Sequence, residues 1–430
     1  MDDNTVKPKK KKMPDKKIYK EQLCIGLYIH LDLPWMKHPF FTSHFKIRTQ
    51  KQLDTLRKLK MESVRFDPDK SDTKPLPLVE NPDYEEPSMG ENEDPLWEEK
   101  RNRIKVLKER RSKLNQTASR YEKSVESVRK LMEVLFATPE KAVHIADEVV
   151  GNMASGLTDD TEATMQLVSL KGKHESSYYH SLNVTTLSLV LGQKLGLNPE
   201  QLHTLGLGAL FHDLGHQKIP TQILLKKKSL TAAEEKIYQR HTTLGVEMAN
   251  KIGVLPKEVI AIIGQHHERL DGSGYPKGMT QEVGLLPRII AVVDHYDELC
   301  NHSDPKRSLT PYEAVSMMFS KEQGKFDKTV LTTFIANLGV YPPGTLVKLS
   351  DQRIACVVTI NQDELLKPNV LVYDPEIPKE EALILDLMEE ELSISASCRR
   401  SDLSPAILNY LNLSEYVAYY LDQSSDAVIN

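Results

Sequence analysis

The chain has 430 residues, of which 40% are hydrophobic and 27% are charged, a balance typical of globular rather than disordered or membrane-embedded proteins. The formal net charge of −5 excludes a chain dominated by basic patches, and we expect no nucleic-acid partner. The apolar runs are shorter than the roughly 20 residues of a membrane span, and the basic N-terminus lacks the apolar core of a secretory signal. The four scattered cysteines are typical of thiols in a reducing compartment, which predicts a cytoplasmic protein.

The N-terminal part divides into three segments of different composition. Residues 1–20 are rich in lysine and are predicted to form a basic, disordered arm. Residues 21–70 are predicted to form a small α+β domain, because CIGLYIHLDL alternates like a strand and TQKQLDTLRKLKM carries leucines at helical spacing. Residues 71–95 are acidic and rich in proline, which predicts an exposed linker.

The next segment, residues 96–135, is highly charged, with sparse apolar residues at helical spacing. This pattern predicts a long amphipathic helix with a break near Asn115. The helix could be a connector or a stalk that holds a homodimer together, or it could simply pack on the domain that follows.

Helical periodicity dominates residues 136–340, and capping signals such as Asn198-Pro199-Glu200-Gln201 mark the helix starts. Residues 341–430 are predicted to form a short β hairpin, turning at Asp351-Gln352, followed by helices. The predicted fold class is therefore mainly α: a helical catalytic domain with a small N-terminal α+β domain, a helical connector and a short β-containing appendage.

Histidines are concentrated in the helical domain. Ten of the fourteen lie between His174 and His302, and Asp213 and Asp294 lie on apolar helices, where a carboxylate is costly to bury unless it is paired or bound to metal. A single buried histidine is more often a core residue, but a set spread over five helical segments favours a metal site. We interpret His174, His203, His295 and His302 as structural or surface residues. The predicted metal ligands are His180, His212, Asp213, His241, His266, His267 and Asp294.

Imidazole and carboxylate ligands together suit Fe, Mn or Zn better than Ca or Mg. The set is too rich for one tetrahedral ion, and two ions bridged by Asp213 fit it better. Paired metals activate water and bind phosphoryl oxygens. The residues therefore predict metal-assisted phosphoester hydrolysis, with Asp213 also in a catalytic role.

Two motifs carry a family resemblance. HDLGHQKIP at 212–220 and HHERLDGSGYPKG at 266–278 resemble the signatures of HD-GYP domains, a branch of the HD phosphohydrolase superfamily. The similarity spans roughly residues 150–340, and GLYIHLDLPWMKHPFF resembles a small domain commonly found ahead of HD-GYP domains.

The resemblance implies an HD-type helical bundle and a cyclic di-GMP phosphodiesterase acting in second-messenger signalling. Such an enzyme opens cyclic di-GMP to pGpG, which can be cut onward to GMP. By the family pattern, the seven candidate residues are the metal ligands, and the ions are typically iron or manganese. Gly272, Gly274, Tyr275 and Pro276 would form a tight loop beside the site, in which Tyr275 can stack on or hydrogen-bond the substrate. A purely structural turn is the alternative.

The phosphate-binding positions depart from the family pattern. His216 stands where the family usually has a lysine, and Lys218, two residues on, is a candidate substitute. Ser303 stands where an arginine is usual, with Lys306 and Arg307 nearby. We predict His216 and Lys218 as catalytic residues, and Lys306 and Arg307 as substrate-binding residues that stabilise the developing charge.

A third departure limits the number of metals. Some members bind a third ion through a glutamate one helical turn before the first histidine, where this chain has Ser176; we therefore expect two ions. Two other functions stay open. The altered lysine position favours another phosphoester, such as a different cyclic dinucleotide, and a catalytically weak nucleotide-binding scaffold is the alternative from a different class.

Overall fold

The computed structural model is mostly helical, with a small N-terminal sheet and a second sheet near the C-terminus. The predicted fold class is therefore confirmed. In the described part of the chain, no helix is both long and apolar enough to cross a membrane. The structure describes residues 16–78, 95–159, 176–226, 228–302, 304 and 307–412.

Several predicted segments lie wholly or partly outside the described residues: most of the basic arm, most of the acidic linker, Ser303, Lys306 and the last 18 residues, 413–430. The chain divides into two compact units. The first comprises Met1–Glu109 and Asp374–Ala382, and the second comprises Arg110–Tyr373 and Leu383–Asn430.

The described residues of the first unit form a four-stranded antiparallel sheet, in the order β1-β4-β2-β3, one complete helix and the beginning of the next. A capping box starts the helix, since the Thr49 side chain accepts a hydrogen bond from the backbone N–H of Gln52 at 3.2 Å. Strand β1 lies inside the segment assigned to the basic arm, because buried Ile18 pairs with Val64 between exposed neighbours. The elements are β1 (Lys17–Tyr19), β2 (Tyr28–His30), β3 (His44–Lys46), α1 (Gln50–Lys58) and β4 (Ser63–Asp67).

The connector is one continuous helix, α2 (Pro95–Val134). The predicted break near Asn115 is wrong: the weak helix propensity of asparagine is a small term, and buried Leu114 and Ala118 fix this stretch by packing. Towards its C-terminal end, buried Val128 and Leu131 join a hydrophobic cluster with the helices that follow. This part of α2 therefore packs on the helical domain, one of the alternatives that the sequence left open.

Helix α4 (Ser176–Lys194) is the central element of the second unit. Its residues 181–192 are all buried, as expected for a helix enclosed on every side. It packs against α5, α10, α12 and α3, and this places His180, near its start, beside the ends of several other helices. The remaining helices are α3 (Pro139–Asp159), α5 (Pro199–Phe211), α6 (Thr221–Leu224), α7 (Ala232–Gln239), α8 (His241–Ile252), α9 (Lys257–Gln265), α10 (Leu285–Cys300), α11 (Pro311–Lys321) and α12 (Lys328–Leu338).

The C-terminal part is a five-stranded antiparallel sheet in the order β8-β7-β6-β5-β9, larger than the predicted hairpin. The predicted hairpin forms its first two strands, which pair Leu346 with Cys356 and turn at Gln352, where φ is 75°. The other strands are only four residues each, too short for a clear alternation. The elements are β5 (Leu346–Leu349), β6 (Ile354–Thr359), β7 (Asn369–Val372), β8 (Leu383–Asp386), β9 (Ile394–Ser397) and a last helix, α13 (Pro405–Leu411).

If the C-terminal half of α2 belongs to the core, shortening a buried side chain there will destabilise the protein. Leu131 is fully buried, so Leu131→Ala is expected to lower the free energy of unfolding by about 2–5 kcal/mol. Lys123→Ala, at an exposed position of the same helix, is the matched control and should change it by less than about 0.5 kcal/mol. Urea unfolding at an unchanged m value measures both, and equal midpoints would contradict the packing described here.

Candidate metal centre

Five helical segments bring the predicted ligands to one place in the second unit. His180 lies near the start of α4, His212 and Asp213 follow α5, and His241 begins α8. His266 and His267 follow α9, and Asp294 lies on α10. All are buried except His180 and Asp213, which are partly exposed. The structure thus brings all seven residues together, in groups whose ligand atoms lie within 4.8 Å of one another. Asp213 groups with His241, His266 and His267, His180 groups with His212 and Asp213, and Asp294 groups with His267.

Three of the imidazoles are oriented by the backbone. The Nδ1 atoms of His212, His241 and His266 lie 2.7, 2.8 and 3.0 Å from carbonyl oxygens three residues earlier in the chain. A carbonyl oxygen only accepts hydrogen bonds, so each Nδ1 must carry the proton, and each Nε2 presents a lone pair. His180 follows the same rule, because its Nδ1 donates to the Asp297 carboxylate at 2.7 Å.

These lone pairs face one another in two pairs. The Nε2 atoms of His180 and His212 are 3.2 Å apart, and those of His241 and His266 are 3.3 Å apart. Two lone pairs at this distance repel, so each pair requires a proton or a cation between its nitrogens. Two nitrogens that bind one ion at about 2.1 Å lie about 3.0–3.4 Å apart, so both pairs fit a shared metal ion.

The two histidine pairs differ in the direction of their pKa shifts. Burial lowers the pKa of His241 to about 4 and that of His266 to about 3, so neither is protonated at neutral pH. Burial also lowers the pKa of His180, but the hydrogen bonds and charges of Asp294 and Asp297 outweigh it, and the pKa lies well above its usual value. A metal at the His180 pair must therefore displace a proton, whereas the His241 pair is ready to bind.

Asp213 lies between the two pairs. Its Oδ2 is 3.6 Å from Nε2 of His180 and 3.5 Å from that of His212. Its Oδ1 is 3.5 Å from Nε2 of His241 and 3.8 Å from that of His266. Burial alone would raise the pKa of Asp213, but His216 and His212 hold it well below its usual value. Each oxygen of this ionised carboxylate thus faces a different histidine pair, as a bridging ligand requires.

Asp294 carries a buried oxygen that lacks a donor. Its Oδ1 lies 3.2 Å from Nε2 of His180. Its Oδ2 accepts no hydrogen bond from the described residues and is 3.7 Å from Nδ1 of His267. A buried carboxylate oxygen without a donor is costly, and a cation among these ligands would satisfy it. The donor set and this orphaned oxygen therefore fit metal ions.

Sequence reasoning missed two acids on the same face of α10. Asp297 and Glu298 follow Asp294 by three and four residues, the spacing that places helical side chains together. Asp297 is buried and orients His180. Glu298 shares a third group of potential ligand atoms with His267 and Asp294, and burial, together with the charge of Asp294, raises its pKa well above the usual value. The helical spacing within DHYDEL was the available signal.

Comparisons with known proteins find two matching families. Residues 162–330 match the HD domain family, and residues 15–146 match a domain of unknown function, DUF3391. This chain contains an HD domain. Within this family, its GYP motif is similar to that of the HD-GYP branch.

Three relatives of this HD domain are informative. The chain is 34% identical over 229 residues to a cyclic di-GMP phosphodiesterase of Pseudomonas aeruginosa, covering 53% of this chain and 55% of the relative. It is 31% identical over 184 residues to a cyclic di-GMP phosphodiesterase of Borreliella burgdorferi, covering 43% and 48%. It is 34% identical over 174 residues to a 3′3′-cGAMP-specific phosphodiesterase of Vibrio cholerae, covering 39% of each. The chain therefore spans about half the length of the first two relatives, and less of the third.

The loop that contains the GYP motif packs on this cluster. The Tyr275 ring stacks on His267 with ring centres 4.6 Å apart. Gly272 has φ of 78°, and a Cβ at Gly274 would lie 2.2 Å from the backbone nitrogen of Arg269, so both positions require glycine. Buried Glu268, which sequence reasoning did not single out, accepts backbone hydrogen bonds from Lys277 and Met279, at 2.8 and 2.7 Å, and holds the loop closed.

The predicted phosphate-binding residues are only partly brought to the cluster. At the position where HD-GYP domains usually have lysine, His216 Nδ1 lies 3.1 Å from Oδ2 of Asp213. Its Nε2 is buried and has no hydrogen-bond partner among the described residues. Lys218 and Arg307 are exposed, and neither side chain takes part in a described hydrogen bond or ion pair with the cluster.

The role of Glu268 is testable. In Glu268→Gln, one of the two buried backbone donors faces an amide nitrogen in place of an oxygen, and we expect the free energy of unfolding to fall by about 1–3 kcal/mol. Glu247→Gln, at an exposed position of α8, is the control and should be nearly neutral. Urea unfolding of both variants measures the difference, and an unchanged midpoint for Glu268→Gln would show that the loop closes without this carboxylate.

Proposed function

We propose that this protein is a metal-dependent phosphodiesterase that hydrolyses cyclic di-GMP to pGpG, with GMP as the product of a second cut. The observation that carries the proposal is the position of Asp213, whose two oxygens face two different histidine pairs. The similarity to proteins named cyclic di-GMP phosphodiesterases supports the substrate.

Two divalent ions would be held by this set. His180, His212 and Asp294 would bind one, His241, His266 and His267 the other, and Asp213 both. The mixture of imidazole and carboxylate donors supports iron or manganese. When bound, the ions would supply Lewis acidity towards water and the phosphoryl oxygens.

The protein's own residues would orient and stabilise the reacting groups. Asp297 and the backbone carbonyls hold the imidazoles in their ligand tautomer. Tyr275, stacked on His267, would offer its partly exposed ring to a guanine base, in a loop shaped by Gly272 and Gly274. With both ring nitrogens protonated, His216 would donate from Nδ1 to Asp213 and from its otherwise unpartnered Nε2 to the phosphate as charge develops on it.

The exposed cations would have a different role. Lys218 and Arg307 lie on the surface, and we assign them, with Lys306, to long-range attraction of the anionic dinucleotide rather than to contact with the reacting phosphorus. Substrate-binding through these residues would therefore weaken with salt.

We further propose residues 136–340 as the catalytic domain, residues 21–70 as a separate N-terminal domain, and α2 as the connector between them. Cysteine usage supports a cytoplasmic location. A homodimer remains a prediction from the long helix.

A second substrate has a specific observation in its favour. The chain is also similar to a 3′3′-cGAMP-specific phosphodiesterase, and His216 replaces the lysine that HD-GYP domains usually carry. Hydrolysis of both dinucleotides by one preparation, compared by kcat/KM, decides between these substrates. A nucleotide-binding scaffold is disfavoured, because a scaffold would not need the buried carboxylate Asp294.

Asp213→Ala tests the function directly. Because Asp213 would bind both metal ions, its removal should lower the amount of bound Mn. It should also reduce cyclic di-GMP hydrolysis by at least about 100-fold, which is the upper range for residues that only support a metal ligand. Anaerobic protein loaded with Mn or Fe(II) is assayed by chromatography of products and by metal analysis. Asp147→Ala is the control, because this partly exposed carboxylate contacts His203 and none of the predicted ligands. Full hydrolysis by Asp213→Ala would refute the proposal.

His216 and Lys218 should differ in kinetic effect. We expect His216→Ala to lower kcat by about 100-fold, as for loss of one buried donor to developing charge. Lys218→Ala should change mainly KM, by less than about 10-fold and only at low salt, because its charge acts through solvent. Steady-state kinetics at two salt concentrations separate the roles, and equal effects on kcat would contradict the assignment.

A further inference from the structure

A chain of three buried or partly buried hydrogen bonds joins the connector helix to a histidine of the candidate metal centre. The Tyr121 hydroxyl, on α2, contacts Oδ1 of Asn183 on α4. Asn183 Nδ2 lies 2.8 Å from Oδ1 of Asp297 on α10. The other oxygen of Asp297 lies 2.7 Å from Nδ1 of His180. Asn183 and Asp297 are buried, so water does not compete for the hydrogen bond between them. The hydrogen bonds at the two ends of the chain are partly buried.

The direction of each hydrogen bond is fixed by chemistry. Asp297 is a carboxylate and only accepts, so Asn183 must turn its amide nitrogen towards it. The amide oxygen of Asn183 then faces Tyr121, whose hydroxyl must donate. His180 must likewise donate from Nδ1 to Asp297. The carboxylate of Asp297 therefore fixes the direction of all three hydrogen bonds, with Tyr121 as the donor at one end and His180 as the donor at the other.

These hydrogen bonds determine how His180 is oriented. Its ring orientation and the basicity of Nε2 are set by the carboxylate on Nδ1, as for metal-ligating histidines in general. Asp297 is in turn held by Asn183, and also by Asn301 at 2.9 Å. If the Tyr121 hydroxyl is removed, the buried oxygen of Asn183 loses this donor, and the amide is free to rotate away from Asp297.

We propose that Tyr121 is a positioning residue for the metal position formed by His180 and His212, so that the connector helix sets the metal affinity there. The inference rests on the proposed function, because it requires that these histidines bind a metal. It also assigns α2 a role beyond packing: a small displacement of the helix would withdraw a hydrogen-bond donor from the support of a ligand.

A neighbouring contact provides the matched control. The Tyr179 hydroxyl donates to Glu122 on α2 at 3.1 Å, and the Tyr121 and Tyr179 rings pack 6.0 Å apart. Tyr179→Phe thus removes a hydroxyl contact between the same two helices without touching the chain to His180. Both phenylalanine variants keep the ring packing.

The experiment is Mn²⁺ titration of the full chain by equilibrium dialysis, without substrate. We expect Tyr121→Phe to weaken binding at one of the two Mn²⁺ positions by about 10-fold, the lower range for an outer partner of a metal ligand. The other position should be unchanged, and Tyr179→Phe should stay within about 2-fold of wild type, because its partly buried contact with Glu122 lies outside the chain of hydrogen bonds to His180.

A double-mutant cycle separates positioning from a general loss of structure. Asn183→Ala and Tyr121→Phe should together weaken Mn²⁺ binding no more than Asn183→Ala alone, because both interrupt one chain. Additive effects, or Mn²⁺ affinity of Tyr121→Phe within about 2-fold of wild type, would overturn the proposal. Wild-type protein that binds no Mn²⁺ would overturn both this proposal and the metal site. Protein that binds Mn²⁺ normally but hydrolyses no cyclic dinucleotide would refute only the proposed function.

Discussion

The repulsion between facing imidazole lone pairs is the constraint on which the rest of this site depends. Once Nδ1 of His241 and His266 is committed to backbone carbonyls, their Nε2 atoms, 3.3 Å apart, cannot hydrogen-bond each other. Burial then excludes the proton that would otherwise relieve the repulsion, since it lowers both pKa values far below neutrality. A cation is the remaining solution, and Asp213 supplies the negative charge that such a cation requires.

The helical fold produces this commitment through its helix ends. The last carbonyl groups of a helix have no partner within it. His212 and His266 stand directly after α5 and α9 and donate from Nδ1 to the last turn of their own helices; His241 donates in the same way to the end of α7. One hydrogen bond thus gives a helix-end carbonyl its donor and orients the histidine so that its Nε2 can bind a metal. His180 lies near the start of its helix and has no such carbonyl. The Asp297 carboxylate accepts the hydrogen bond from its Nδ1 instead.

The parts of the site that the sequence predicts are those whose chemistry is local. His212, Asp213, His266 and His267 stand out because charged or polar ligands on apolar helices need a reason, and all seven predicted ligands do converge. Glu268 and Asp297 were missed because their roles depend on groups nine to 117 positions away in the chain. The same holds for the fold. Helical periodicity predicted the helices, but the lysines around β1 obscured its strand pattern. The continuity of α2 at Asn115 depends on tertiary packing, which the local sequence does not contain.

Burial costs distinguish a metal site from a binding scaffold. The second unit buries Asp294 and Asp297 beside partly exposed Asp213 and Glu298, and burial of so many acids without compensating charge destabilises a fold. Asp297 is compensated by His180 and two asparagines, and that arrangement is complete without any ion. Asp294 is not, since one of its oxygens has no donor among the described residues. The uncompensated charge is confined to the oxygen that lies 3.7 Å from Nδ1 of His267. A positive ion beside this oxygen would compensate it, so the remaining burial cost favours a site that binds metal.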